Sequence, residues 1–324
     1  MYPIKFTPFF KSNIWGGNKI AKFKNIESEL QNIGESWEIS EVKESVSVVE
    51  NGEFAGKTLS ELIKQFPTQL IGNKKLTQFP LLIKLIDARD NLSIQVHPND
   101  EIAKIRHNSL GKTEMWYVID AEKDAFLYSG FSKTISKHEY EKRVANNTLI
   151  EVLMKHPVKS GDVFFLPAGR VHAIGKGIFL AEIQQNSDIT YRIYDYNRKD
   201  ANGLMRELHT DLAKDIIELE AKDDLTVNFS ALYNTPTNLV SCNYFTVNYL
   251  KLSKEINCNN LIFKSFVVYM CVSGKALLKY PNGSTITIAE GETVLIPAQI
   301  ANTTIIPLFE CELLECYLPN NINS

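Results

Sequence analysis

Two segments 130 residues apart constrain the fold of this chain more than any other feature. GDVFFLPAGRVHAIG begins at Gly161 and GETVLIPAQIANTTI at Gly291, and both place a Gly, an acidic residue and a Pro-Ala pair in the same register. A duplicated unit of turn, apolar strand, Pro-Ala turn and second strand suits a jelly-roll β-barrel made twice. Short apolar runs such as FPLLIKLI, MWYVI, GIFLAEI, YFTVNYLKL and SFVVYMCV, separated by Gly, Asn, Asp or Pro, read as strands throughout. Helical periodicity is confined to residues 58–65, 99–105, roughly 136–154, and 211–219, and does not alternate regularly with the strands. A doubly wound α/β sheet is therefore disfavoured. The expected fold is mainly β: two jelly-roll barrels with a few helical insertions. A boundary in NFSALYNTPTN divides the chain into an N-terminal catalytic domain, 1–228, and a degenerate C-terminal domain, 229–324.

With 324 residues, 44% of them hydrophobic, the chain can bury a substantial core. No apolar run approaches the roughly 18 residues a membrane span needs, and the N-terminus lacks the apolar core and cleavage site of a signal peptide. The expectation is a cytoplasmic protein without a membrane partner. All five cysteines fall in the C-terminal third and none forms a C-x-x-C pair, which argues against a disulfide framework. A net charge of -3 lacks the electrostatic footprint of a nucleic-acid binder.

Chemistry concentrates in three segments of the first copy. NLSIQVHPND carries Gln95 and His97, two apart and so on one face of an extended chain, with Ser93 on the same face. GKTEMWYVID carries Glu114, and the first copy of the repeat carries His172, where the second has Asn302. Two imidazoles and a carboxylate leave a cation such as zinc with open coordination, which marks a site that does chemistry. Amide oxygen is a poor zinc ligand on chemical grounds, so the residues alone leave Gln95 open. His107, His138, His156 and His209 lie near polar or helical stretches and are read as structural. Trp15, Trp37 and Trp116 are read as core and rim packing.

These blocks resemble the cupin superfamily and, within it, the type I mannose-6-phosphate isomerases in their shorter bacterial form. The similarity runs through IWGG from Ile14, GESWEIS from Gly34, LSIQVHP from Leu92, GKTEMWY from Gly111, PAGRVHAIG from Pro167 and QNSDITYRIYDYNR from Gln185. The resemblance implies one zinc ion per chain held by Gln95, His97, Glu114 and His172. It also implies catalytic roles for Arg192 and Lys112, and substrate contacts from Ser93, Lys84, Glu35 and Asp188, with Ser93 and Lys84 near the substrate phosphate. Arg192 is open to two roles, steadying an enediolate or gripping the phosphate. The implied reaction interconverts mannose 6-phosphate and fructose 6-phosphate through an enediol. It needs no nicotinamide or nucleotide, and no Gly-rich fingerprint for either is present. Two His and a carboxylate also suit a cupin oxygenase, and a sugar-binding cupin without turnover is the third reading.

Overall fold

The computed structural model describes residues 1–72, 76–199, 202–223 and 225–320. The last four positions of the expected C-terminal domain lie outside that set.

The long apolar runs form strands because both of their faces are covered. In the Leu81–Ala88 strand, Ile83 and Leu85 enter a core cluster shared with Val247, Tyr249, Val268 and Leu314 of the C-terminal half. Ile86 and Ala88 of the same strand face the other way, toward Trp116, Leu127 and Ile174. Side chains alternate along a strand, so a strand buried on both sides loses the alternating pattern and reads as continuously apolar. The large sheets of the two halves thus pack back to back, and each covers a smaller sheet with its opposite face. Contact between the halves extends to the N-terminus, where Ile4 and Leu295 exchange backbone hydrogen bonds of 2.8 Å.

Strand register exposes the duplication. In the N-terminal half, Glu182 lies opposite both Trp116 and Lys84. In the C-terminal half, Glu315 lies opposite both Tyr269 and Asn248. The carboxylate therefore recurs at one place in the topology, accepting from Trp116 Nε1 in the first copy and from Tyr269 OH in the second. The metal-ligand positions do not recur. Leu166 pairs with Glu114, whereas its counterpart Ile296 pairs with Val267; His172 pairs with Gln95, whereas Asn302 pairs with Asn259.

Burial pushes the Glu315 carboxyl above its ordinary value of 4.5, and donation from Asn248 and Tyr269 offsets this only in part. A carboxyl raised in the folded state favours folding in acid and costs stability as pH climbs through its folded value. Glu315→Gln is accordingly expected to melt above the wild type at neutral pH and to lose that advantage on acidification. Melting curves across pH check this, and a wild type that stays the more stable at neutral pH would contradict it.

The helices are short. Leu59–Gln65 starts with a reciprocal cap, Thr58 Oγ1 accepting from Glu61 N while Glu61 Oε2 accepts from Thr58 N. Asp100–His107 is capped by Asn99 and stops at Asn108, which adopts φ 50. The helix expected over 136–154 ends at Ala145, because Asn146 and a left-handed Asn147 turn the chain into a short 3-10 segment and then the Leu153–Pro157 strand. That expected over 211–219 is only Thr210–Ala213; the residues beyond it form turns, with Ile217 packed into the small-sheet core. Among the described residues, no helix is long and apolar enough to cross a membrane.

Candidate active site

Three strand ends bring the metal-ligand candidates together. His97 lies one residue past the Ile94–Val96 strand, Glu114 opens Glu114–Ala121, and His172 opens the two-residue His172–Ala173 strand. One ligand atom from each falls within 4.8 Å of the others, and all three side chains are buried. His97 Nε2 is 3.5 Å from Glu114 Oε2, and His172 Nε2 is 3.2 Å from Glu114 Oε1.

Both imidazoles are oriented from behind. His97 Nδ1–H donates to the Ile189 carbonyl and His172 Nδ1–H to the Arg170 carbonyl, each at 2.9 Å, so each Nε2 turns a lone pair toward Glu114. Burial holds His97 well below the usual histidine value and His172 at about 4, keeping both rings neutral. The Glu114 carboxyl is pushed up to about 8 by burial, against the opposing pull of Lys112. His97 Nε2 and both Glu114 oxygens are buried without a well-directed hydrogen bond, the Lys112 ammonium standing to one side of Glu114 Oε2 at 3.3 Å. Lone pairs aimed at one another inside a protein cost free energy unless a cation sits among them, so this donor set fits a metal ion.

Gln95 adjoins the cluster. It lies between His172 and Arg192 in the register of three neighbouring strands, and its Nε2 is 3.3 Å from His172 Nε2. A half-turn of the amide would present Oε1 to the same neighbourhood. Ser93 Oγ reaches Gln95 Oε1 at 3.5 Å, consistent with a shared face.

The turn before Glu114 is built to carry Lys112. Asp100 Oδ1 accepts from Gly111 N and Gln185 Nε2, Gln185 Oε1 accepts from Thr113 N, and Lys112 N donates to Pro98 O. A Cβ on Gly111 would come within 2.6 Å of the Asn99 backbone, so only glycine admits this approach. Lys112 precedes the strand instead of continuing it, yet its Nζ stands 3.3 Å from Glu114 Oε2.

Beside the cluster, Lys84 Nζ lies 3.4 Å from Glu35 Oε2 and 3.2 Å from Glu182 Oε1. Burial alone would lower the Lys84 ammonium, but Glu182 and Glu35 outweigh it and raise its pKa. Burial is the largest influence and raises both carboxyls, but Lys84 outweighs it together with Trp37 Nε1 and Lys11 at Glu35, and together with Lys112 and Trp116 Nε1 at Glu182, so both are lowered. Sequence reasoning misses Glu182 although its signal matches that of Lys84: one charge inside an apolar strand run.

One cleft is lined by Glu35, Lys84, Ser93, Gln95, Lys112, Asp188 and Arg192. It brings together every substrate and catalytic candidate legible in the sequence. Trp15 and Trp37 also line it, as do His209, expected outside the site, and Arg206, which no sequence motif marks. Five Lys and Arg side chains line the cleft against three carboxylates, a balance that suits an anionic ligand.

Comparison with known proteins gives concordant results over most of the chain. The family model for the phosphomannose isomerase type I catalytic domain matches residues 4–125, and that for the mannose-6-phosphate isomerase cupin domain matches residues 235–314. The chain is 42% identical to the mannose-6-phosphate isomerase ManA of Bacillus subtilis over 276 residues, 84% of this chain and 86% of that one. It is 41% identical to the mannose-6-phosphate isomerase of Streptococcus mutans over 244 residues, 75% of this chain and 77% of that one. Its structure is similar to a crystal structure of the mannose 6-phosphate isomerase from Bacillus subtilis, with a TM-score of 0.90 and 34% identity, covering 98% of this chain and 100% of that one.

Proposed function

The chain belongs to the type I mannose-6-phosphate isomerases, a metal-dependent cupin family, and interconverts mannose 6-phosphate and fructose 6-phosphate; from that premise we propose that its metal is zinc, one per chain, held by His97, Glu114, His172 and Gln95. The observation that carries this reading is the convergence of buried His97, Glu114 and His172 ligand atoms within 4.8 Å of one another, with the Lys112 ammonium beside Glu114 Oε2. Neutral imidazole and carboxylate donors with open positions are a set that catalytic zinc uses.

When bound, the cation supplies Lewis-acid polarisation of substrate oxygens beside the carbon that gives up its proton. The side chains do the rest. Lys112 places an ammonium beside the Glu114 carboxylate, where it can also steady negative charge developing on the substrate. Arg192 presents a half-buried guanidinium on the cleft wall, its Nη1 held by the Glu207 carbonyl and its Nε buried without a hydrogen-bond partner, and its charge faces an anionic ligand. Ser93, Lys84, Glu35 and Asp188 contact the sugar, with the Lys84 ammonium held in place by Glu35 and Glu182. The catalytic domain in this reading is 1–228, with 229–324 a degenerate cupin. Its cysteines are free among the described residues, as a reducing compartment keeps them, and the proposed setting is the cytoplasm.

A coupled assay on mannose 6-phosphate, glucose 6-phosphate and free mannose, before and after chelation and zinc replacement, tests the reading. Turnover of mannose 6-phosphate is expected to vanish on chelation, return with zinc and proceed without oxygen. Activity that survives complete metal removal would overturn it.

A further inference from the structure

We propose that Arg206 is a phosphate-binding residue, forming with Arg192 a two-guanidinium grip at one side of the cleft. The inference rests on the cleft being the sugar-phosphate site. A phosphate dianion needs positive charge that other groups have not already neutralised. Lys84 stands between two carboxylates, and Lys112 stands beside Glu114. Arg192 differs: among the described residues it makes no ion pair, its Nη1 donates to the Glu207 carbonyl at 2.9 Å, and its Nε is buried without a partner.

Arg206 brings the second charge. Its Nε and Nη2 form a fork on Asp195 at 2.7 and 2.6 Å, which fixes the guanidinium plane and leaves Nη1 outside the pair. Arg198 also bonds Asp195 and lies 3.8 Å from Asp90 Oδ2, so two carboxylates face three guanidiniums and the group keeps a positive excess of one. The supporting backbone is tied to Arg192. His209 N donates to Arg192 O at 2.7 Å, and Arg192 N donates to His209 Nδ1 at 3.3 Å. Arg192, Arg206 and His209 accordingly line the same cleft. The Arg192 guanidinium lies below its ordinary value first because of burial and next because of Arg206, a mutual repulsion that a dianion would relieve.

The test uses the metal-loaded wild type, Arg206→Gln and Arg206→Lys, with inorganic phosphate as a competitive probe. Loss of one charge-assisted contact predicts a rise of about 10- to 100-fold in both KM for mannose 6-phosphate and Ki for phosphate in Arg206→Gln. Over the same change, kcat should move by less than about threefold, since an interaction equal in ground and transition states leaves it alone. Arg206→Lys keeps the charge but loses the fork, and should fall between the two. A change below twofold in both KM and Ki would overturn the proposal, as would a loss confined to kcat. Failure of the wild type to turn over mannose 6-phosphate would instead strike the functional reading itself.

Discussion

His172→Ala loses its metal and its isomerase activity together. Removing one imidazole takes away a neutral donor whose lone pair is aimed by the Arg170 carbonyl, and leaves Glu114 and His97 unable to enclose a cation. Metal content is expected to fall from about one ion per chain to a small fraction, and turnover by at least about 10³-fold, because polarisation of the substrate oxygens goes with the ion. Arg192→Ala provides the contrast. The Arg192 side chain is not among the proposed ligands, so the variant should keep the metal while kcat/KM for mannose 6-phosphate falls. Elemental analysis of both purified variants beside their rates separates metal binding from chemistry. A metal-free His172→Ala that still converts mannose 6-phosphate would remove His172 from the ligand set.

Much of this site is legible in the sequence, for a physical reason. Ser93, Gln95 and His97 alternate with the apolar Ile94 and Val96, so extended geometry alone puts them on one face. The strand cores are legible too, since runs covered on both sides stay apolar throughout. That same double burial hides the direction of each side chain: nothing in LLIKLI says that Lys84 faces the cleft while Ile83 and Leu85 face the other half. Arg206 and His209 are harder still. They reach the cleft on a segment without periodicity, placed by backbone bonds to Arg192 across the turn. The expected helices over 136–154 and 211–219 are too long because apolar residues at helical spacing persist past the breaks. Ile217 spends its apolar surface on the small-sheet core from a turn instead.

Lys84→Met should cost about 3–5 kcal/mol of stability, on the order of 10 °C in melting temperature. The loss arises less from the vanished attraction than from what remains, since Glu35 and Glu182 stay beside the cleft with no ammonium between them. Its pH dependence identifies the cause. In the wild type, burial raises both carboxyls, but Lys84, the strongest of the groups that oppose it, together with its neighbours holds both below their ordinary value of 4.5. Carboxyls depressed in the folded state contribute stability that is present above that value and fades as pH falls through their folded values. In the variant, burial acts unopposed by Lys84 and raises both carboxyls, so destabilisation grows with pH above 4.5. The gap between the two proteins should therefore be widest near neutrality and close in acid, where both carboxyls are protonated whether the chain is folded or not. Glu182→Gln placed in the Lys84→Met background removes one stranded charge and should recover part of the loss, because the two sites touch and their effects do not add. Melting curves of the wild type, the single variant and the double variant between about pH 4 and pH 8 decide the matter. A gap that keeps its size across that range would mean that Lys84 stabilises the strand by packing its stem and not by compensating the two carboxylates.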